Sequence, residues 1–159
     1  MGLMAAVKFL LYKYSNQSDL IIGTPIAGRE HALLQNQIGI YINTLALRTK
    51  FNADDNFKTL LKKVKETTLA AYEHQLYPFD KLVSDLPLQR DLSRNPLFDV
   101  MVTLQNTDNN ATATNTIEGL QVHEYASSDT AMSKFDLEFI FEEKNDELEI
   151  NLLYNSAIF

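Results

Sequence analysis

Polar and ionisable side chains that could do chemistry are concentrated between residues 74 and 97. Segment 74–80 reads His-Gln-Leu-Tyr-Pro-Phe-Asp, and segment 90–97 reads Arg-Asp-Leu-Ser-Arg-Asn-Pro-Leu. The second segment crowds two cations, one carboxylate and one hydroxyl into five positions before a proline turn. This pattern predicts a self-bonded loop in which Asp91 bridges an arginine and Ser93 caps backbone groups. A contact with a ligand is the alternative, and we favour the structural loop.

The three histidines, His31, His74 and His123, are scattered along the chain. None has a second histidine or a carboxylate at metal-ligand spacing, which argues against a metal site. His74 falls where a helix is predicted to end, so we favour a capping role for it, and His123 is predicted to be exposed on a weak strand. The sequence contains no glycine-rich phosphate loop and no nucleophile elbow. These residues alone therefore indicate no catalytic centre.

The elements that must position these side chains are organised around segment 38–48, which reads Ile-Gly-Ile-Tyr-Ile-Asn-Thr-Leu-Ala-Leu-Arg. Its apolar residues occupy both faces of an extended chain, which is typical of a strand inside a sheet covered on both sides. These residues are Ile38, Ile40 and Ile42 on one face, and Tyr41, Leu45 and Leu47 on the other. We therefore predict that 38–48 is the central strand. Asn43 interrupts it, and a buried amide must be hydrogen-bonded, so Asn43 either bonds to backbone around a bulge, which we favour, or points into a cavity.

Periodicity along the rest of the chain predicts the other elements. Apolar residues at helical spacing predict helices over 3–15 and 57–72, and Pro78 favours the start of a short third helix that ends before Pro87. Alternation over 135–141 and 148–154 predicts an antiparallel hairpin with one wet face. The remaining predictions are strands over 20–24, 98–105 and 120–125, a loop over 27–37 with at most one helical turn, and a loop over 107–116. The predicted fold class is α+β, a mixed sheet of about five or six strands flanked by helices, in one domain spanning 1–159.

Composition excludes several classes of function. The net charge of -7 argues against a nucleic-acid surface, and no apolar run approaches the length that crosses a bilayer. The absence of cysteine excludes disulfides and thiolate metal sites and fits a cytoplasmic protein. The first helix begins without a capping residue and the chain stops at Phe159 without a stop signal, so we expect truncation at both ends.

Three of these segments, in order and spacing, resemble the condensation domains of nonribosomal peptide synthetases. Segment 38–48 is similar to the fifth core motif of that family, 74–80 to the sixth and 90–97 to the seventh. Segment 22–29, Ile-Gly-Thr-Pro-Ile-Ala-Gly-Arg, is similar to the sequence that precedes them. The resemblance extends from about residue 3 to the end of the chain.

The resemblance implies one lobe of a two-lobed, chloramphenicol acetyltransferase-like fold with a V-shaped cleft. Such domains act in antibiotic and other secondary-metabolite biosynthesis, where they form a peptide bond between aminoacyl or peptidyl thioesters held on the phosphopantetheine arms of carrier proteins. The family signature His-His-x-x-x-Asp-Gly does not occur in this sequence. We therefore expect the C-terminal, acceptor-side lobe, inactive alone and with no directly bound cofactor or metal. Its expected partners are the missing N-terminal lobe, carrier proteins and an adjoining adenylation domain, with no nucleic acid or membrane.

The resemblance also implies roles for individual residues, none of them catalytic. Arg29 matches the arginine that pairs with the signature aspartate across the lobe junction, and without that aspartate we expect it to be solvated or paired with another carboxylate. Asn43 and Thr44 are expected to line the cleft or tunnel, or to serve as scaffold. The motif residues expected to be structural are His74, Gln75, Tyr77, Pro78, Phe79, Arg90, Asp91, Ser93, Arg94, Asn95 and Pro96.

Two other functions stay open from the sequence. The chain is alternatively a non-catalytic module that docks carrier proteins or neighbouring domains. It is otherwise a small acyltransferase that assembles its cleft between subunits, for which His74 is the one histidine with a suitable place. A lobe that normally meets a partner exposes an apolar or ionisable patch, so we also expect self-association.

Overall fold

The computed structural model of the chain describes residues 1–52, 54–88, 91, 94–105, 133–144 and 146–159. In chain order its elements are α1 (Gly2–Ser15), β1 (Asp19–Ile26), β2 (Asn43–Lys50), α2 (Phe57–Glu73), α3 (Phe79–Asp85), β3 (Val100–Gln105), β4 (Leu137–Lys144) and β5 (Glu147–Tyr154), with a 3-10 turn at Ala32–Leu34 between β1 and β2. Within these ranges no helix combines the length and apolar character needed to cross a bilayer.

The strands form one mixed sheet in the order β2-β1-β3-β4-β5. The outer pairs β1–β2 and β4–β5 are antiparallel, and the inner pairs β1–β3 and β3–β4 are parallel. This confirms the predicted mixed sheet and the predicted antiparallel hairpin, whose strands pair from Leu137↔Tyr154 to Lys144↔Glu147. The prediction of a single wet face is wrong for β5, since its apolar residues Leu148, Ile150, Leu152 and Tyr154 are exposed as well. The alternation of apolar and acidic residues in both strands is the reason that the sequence identified the hairpin.

Helices α1 and α2 cover one face of the sheet, as their apolar stripes predict. In α2 the buried residues Leu60, Val64 and Thr68 are four positions apart, and Asn56 caps the helix by accepting a hydrogen bond from Thr59 N at 2.9 Å. His74 is the C-cap residue of α2, in agreement with the predicted helix end. The core between the layers is built from α1, α2 and the four strands β1 to β4.

A lysine that the apolar pattern of α1 does not identify is buried in that core. Lys8 is 0% exposed, and its Nζ donates to Leu47 O at 2.6 Å, Thr49 Oγ1 at 2.9 Å and Leu20 O at 3.4 Å. Burial lowers the pKa of Lys8 to about 8 because desolvation penalises the ammonium form. The three acceptors explain how the core tolerates this group.

The prediction that 38–48 is a central strand buried on both faces is wrong. Strand β2 begins at Asn43 and lies at an edge of the described sheet, where β1 is its one partner among the described strands. Ile38, Ile40 and Ile42 precede it and are 104%, 94% and 69% exposed. An alternating apolar pattern is typical of a buried strand, but side-chain packing decides whether the residues form one. In the described structure no residues pack over these three isoleucines.

The first strand continues through Pro25, although we predicted its end there. Pro25 lies opposite Thr44, a position whose N–H is not needed for the pairing with β2. The predicted third helix is confirmed as α3 with Pro78 at its N-cap, and the strand predicted over 98–105 begins at Val100. The predictions for 107–116, for 120–125 and for His123 lie outside the described residues.

Candidate functional site

The side chain of Asn43 joins two of the segments that the sequence singled out. Its Nδ2 donates to Gln75 O and to Tyr77 O, both at 2.8 Å, and its Oδ1 accepts from Phe79 N at 3.1 Å. Of the two alternatives for Asn43, the structure therefore shows the amide bonded to backbone. The backbone belongs to the loop between α2 and α3, so Asn43 holds the entry of α3 against the first residue of β2.

Polar side chains tie the same loop at two further points. Gln75 Nε2 donates to Glu30 Oε1, and the Tyr77 hydroxyl donates to Asp85 Oδ2 at the end of α3. The hydrogen bond to Asp85 raises the pKa of Tyr77. Lys81 Nζ lies 5.5 Å from the centre of the Tyr77 ring, within cation–π range.

An open groove of about 730 Å³ runs along the outer side of β2. Its walls are the end of α2, the loop after it and α3. The residues that line it are Thr44, Leu45, Ala46, Ala71, Glu73, His74, Leu76, Tyr77, Pro78, Lys81 and Leu82. Thr44 and His74 thus face a cavity, whereas Asn43 supports the cavity wall.

The expectation that Arg29 is solvated or paired with a carboxylate is wrong. Its guanidinium donates to three backbone carbonyls, Leu34 O, Gln37 O at 2.8 Å and Gly39 O at 3.0 Å. The same group lies 4.5 Å from the centre of the Tyr41 ring. Half-buried Arg29 therefore organises the segment between β1 and β2, because its planar fork matches several carbonyl acceptors at once.

The segment that Arg29 holds presents the three exposed isoleucines. Gly28 has a φ of 64°, and a Cβ at this position would overlap the carbonyl oxygen of Tyr41. The Tyr41 hydroxyl donates to Gln37 Oε1 at 2.8 Å and closes the loop. Tyr41 thus packs inward on Arg29, while the isoleucine stripe (Ile38, Ile40 and Ile42) faces outward as a pre-organised apolar surface.

The last motif segment is only partly described. Arg94 pairs with Asp99, with Nε to Oδ1 at 3.4 Å and a closer contact from Nη2, and Asn95 Nδ2 donates to Lys134 O at 3.1 Å. The backbone N of Arg94 donates to Asp91 O at 3.4 Å. Pro96 is exposed, and Arg90 and Ser93 lie outside the described residues, so the predicted bonding of Asp91 and Ser93 stays a prediction.

Aromatic packing connects the motif segments on the second face of the sheet. The centre of the Phe98 ring lies 5.6 Å from that of Phe79 and 5.7 Å from that of Phe135. A Cβ at Gly23 would overlap the Phe98 ring. The start of α3 therefore packs through Phe98 against β1. The sequence gives no indication of this cluster, because its members come from four distant segments.

The titratable side chains that line the groove within the described residues are Glu73, His74, Tyr77 and Lys81. In the described part of the chain the His74 ring has no hydrogen-bond partner, and no group of three histidine or acidic residues could hold a metal. A positioned base needs a partner that orients it, and here the histidine at the groove has none. The residues that sequence reasoning missed, Glu30, Lys81 and Asp85, lie outside the motif segments and act through contacts that folding creates.

Comparisons with known proteins relate the whole chain to one family. The family model described as "Condensation domain" matches residues 1–159. The chain is 46% identical over its whole length to gramicidin S synthase 2 of Brevibacillus brevis and 48% identical to bacitracin synthase 3 of Bacillus licheniformis. It spans 4% and 2% of those two proteins, respectively.

Solved structures show the same fold. A four-domain nonribosomal peptide synthetase bound to AMP and glycine matches with a TM-score of 0.84 at 24% identity, over 98% of this chain and 13% of that one. The X-domain from teicoplanin biosynthesis matches with a TM-score of 0.76 at 24% identity, over 95% of this chain and 34% of that one. The five-stranded mixed sheet with its flanking helices is therefore the fold of one part of such domains.

Proposed function

The chain belongs to the condensation-domain family of nonribosomal peptide synthetases, and we propose that it is the acceptor-side, C-terminal lobe of such a domain. The complete domain would join an upstream aminoacyl or peptidyl thioester to the amine of a downstream aminoacyl thioester in antibiotic biosynthesis in the cytoplasm. Both substrates would arrive on phosphopantetheine arms that belong to carrier proteins, next to an adenylation domain. The 159 residues would form one domain unit.

The observation that carries this proposal is the junction made by Asn43. Segments 38–48 and 74–80 resemble two separate family motifs, and three hydrogen bonds from one amide join them beside the groove. Because its side-chain amide makes three hydrogen bonds, Asn43 fixes the loop between α2 and α3 in one position relative to β2. This geometry supports a scaffold role for Asn43 and a lining role for Thr44.

The lobe junction is proposed to include Arg29 and the isoleucine stripe. A guanidinium carries five N–H donors, and three are used on carbonyl oxygens in the described structure. Two N–H groups are left that Arg29 would donate to a carboxylate of the N-terminal lobe. The neighbouring isoleucines would be covered in the same step, which accounts for an ordered apolar surface that is exposed here.

The proposal predicts that the chain has no turnover of its own. General acid–base catalysis requires a titratable side chain within about 3 Å of the reacting amine. In the family that group is the signature imidazole, and the signature is missing from this sequence. His74 is exposed, and it does not replace that group because nothing in the described residues orients its ring.

Two alternatives lead to different outcomes in one experiment. A docking module would bind carrier proteins without contributing to product formation. A small acyltransferase would form product alone and would depend on His74, which lines the groove. The experiment incubates this chain with two carrier proteins loaded with aminoacyl thioesters and measures the dipeptidyl thioester by mass spectrometry.

We expect no dipeptide with the chain alone and dipeptide when a condensation-domain N-terminal lobe is added. His74→Ala is expected to leave that product unchanged. Product from the chain alone that disappears with His74→Ala would overturn the proposal in favour of the small acyltransferase. No product with the added lobe, together with saturable carrier binding in calorimetry, would favour the docking module.

A further inference from the structure

Helix α2 carries a straight row of exposed side chains along its solvent side. The members of this row are Lys58, Lys62, Lys65, Leu69 and Tyr72, and each of them is exposed. Their separations alternate between four and three positions, which keeps side chains in one line along a helix. The α2 row is therefore one continuous surface with a basic first half and an apolar second half.

The basic half of the α2 row concentrates positive charge in an acidic chain. Segment 57–65 contains four lysines and no carboxylate, although the net charge of the whole chain is -7. One of the four, Lys63, pairs with Asp55 and does not belong to the row. Lys62 Nζ lies 3.9 Å from Glu66 Oε1, with the two side chains 77% and 64% exposed, and so open an ion pair contributes little. The row thus keeps most of its positive charge available to a partner.

The first lysine of the row is unfavourable for the helix itself. Lys58 lies in the first turn of α2, and that turn contains no acidic residue. The N-terminal end of a helix carries partial positive charge, so a cation in the first turn lowers helix stability. Within the described residues no carboxylate forms an ion pair with Lys58 or Lys65. A local cost without a local compensation indicates a role outside the helix.

The apolar half of the row continues the same line toward the end of α2. Leu69 and Tyr72 are 46% and 41% exposed. Two glutamates border the row, Glu66 beside the lysines and Glu73 at the far end of the helix, about four turns from Lys58. The charge of the row therefore changes along the helix, from clearly basic at its start to apolar with an acidic border at its end.

A second helix that lies along this row can match both halves. Helices in contact pack through side chains that recur every three and four positions, and a basic row selects an acidic partner. We propose that the α2 row binds an acidic amphipathic helix of a partner protein or a neighbouring domain. Carboxylates of that helix would pair with Lys58, Lys62 and Lys65. Its apolar side chains would cover Leu69 and Tyr72.

The inference goes beyond the proposed lobe function and does not depend on it, because it uses only the exposed side of α2. A suitable probe is a fluorescent alanine-rich helical peptide with glutamate at positions i, i+4 and i+7 and leucine at i+11 and i+14. The peptide is tested in this order and in the reversed order, since helices can pack in parallel or antiparallel.

We expect at least one of the two orders to bind the full chain saturably in fluorescence anisotropy, with a Kd below about 1 mM at low salt. The counterpart with glutamine at the three acidic positions is expected to bind at least about fivefold more weakly. At about 1 M salt this difference should disappear, because the charges are exposed and screened.

Variants of the chain test the location. Lys62→Glu is expected to weaken the acidic peptide about fivefold or more, whereas Lys134→Glu, the same charge change at an exposed position before β4, is not. Lys58→Glu should also weaken the peptide, yet it should raise the Tm by roughly 1–3 °C because a carboxylate suits the first turn of a helix. A variant that is more stable and binds more weakly does not owe its weaker binding to unfolding.

The proposal would be overturned if neither order of the peptide bound, or if the glutamate and glutamine peptides bound equally. Equal effects of Lys62→Glu and Lys134→Glu would overturn it as well, as would undiminished binding to Lys58→Glu. None of these results changes the outcome of the dipeptide assay, so the two proposals fail separately.

Discussion

Replacing Asn43 by alanine tests whether this one amide holds α3 and its loop in place. The substitution removes three hydrogen bonds, those to Gln75 O, Tyr77 O and Phe79 N. At about 1 kcal/mol net for each bond, the free energy of unfolding should fall by about 3 kcal/mol. For a chain of this size, that corresponds to a Tm lower by roughly 6–12 °C.

The effect should be local as well as global. Amides of α3, such as Leu82 N, which donates to Pro78 O at 3.0 Å, are expected to exchange faster, whereas amides of the β1–β2 ladder should change only with global stability. Thr44→Ala is the matched control, because Thr44 neighbours Asn43 and its side chain makes no hydrogen bond in the described structure. Urea unfolding and hydrogen exchange give both readouts. An Asn43→Ala variant with the same Tm and the same α3 protection as Thr44→Ala would refute the reasoning.

Burial lowers the pKa of Lys8 from its unfolded value of 10.5 to about 8. Between these two pH values the unfolded chain therefore binds one proton more than the folded chain. The free energy of unfolding should rise with pH through this window, by at most about 3 kcal/mol. Lys8→Met should abolish this slope in urea titrations at pH 8–10.5, and an unchanged slope would contradict the assignment. Gly28→Ala should lower the free energy of unfolding by more than about 1 kcal/mol because of its φ of 64° and the Tyr41 carbonyl, whereas Gly2→Ala, with nothing within 4 Å, should not lower it. Arg29→Lys should lower the free energy of unfolding by about 1–3 kcal/mol, because an ammonium group cannot both reach three carbonyl oxygens and stack on the Tyr41 ring. An unchanged Tm in thermal unfolding would show that the loop does not depend on the guanidinium.

Local patterns predicted the elements that local forces decide. The apolar stripe of α2, the start of α3 after Pro78 and the pairing of β4 with β5 all follow from spacing within one segment, and the structure confirms each. The mixed sheet and the condensation-domain resemblance are likewise confirmed, by the topology and by the family match.

Segment 38–48 shows where such patterns stop being informative. Alternating apolar residues are typical of a buried strand, but Ile38, Ile40 and Ile42 are exposed in the described structure. Arg29 is a second case. Its acceptors are backbone carbonyls five to ten residues away, and every residue type carries such a carbonyl, so no sequence pattern marks them.

By itself, the sequence determined the helices, the hairpin, the kind of sheet and the family, because each depends on side chains that are neighbours along the chain or on motifs preserved in order. Only the tertiary structure decided that β2 is an edge, that Asn43 joins two motif segments, that Lys8 is buried and that Arg29 binds carbonyls. These are contacts between distant segments, and their energies exist only after the chain has brought the segments together.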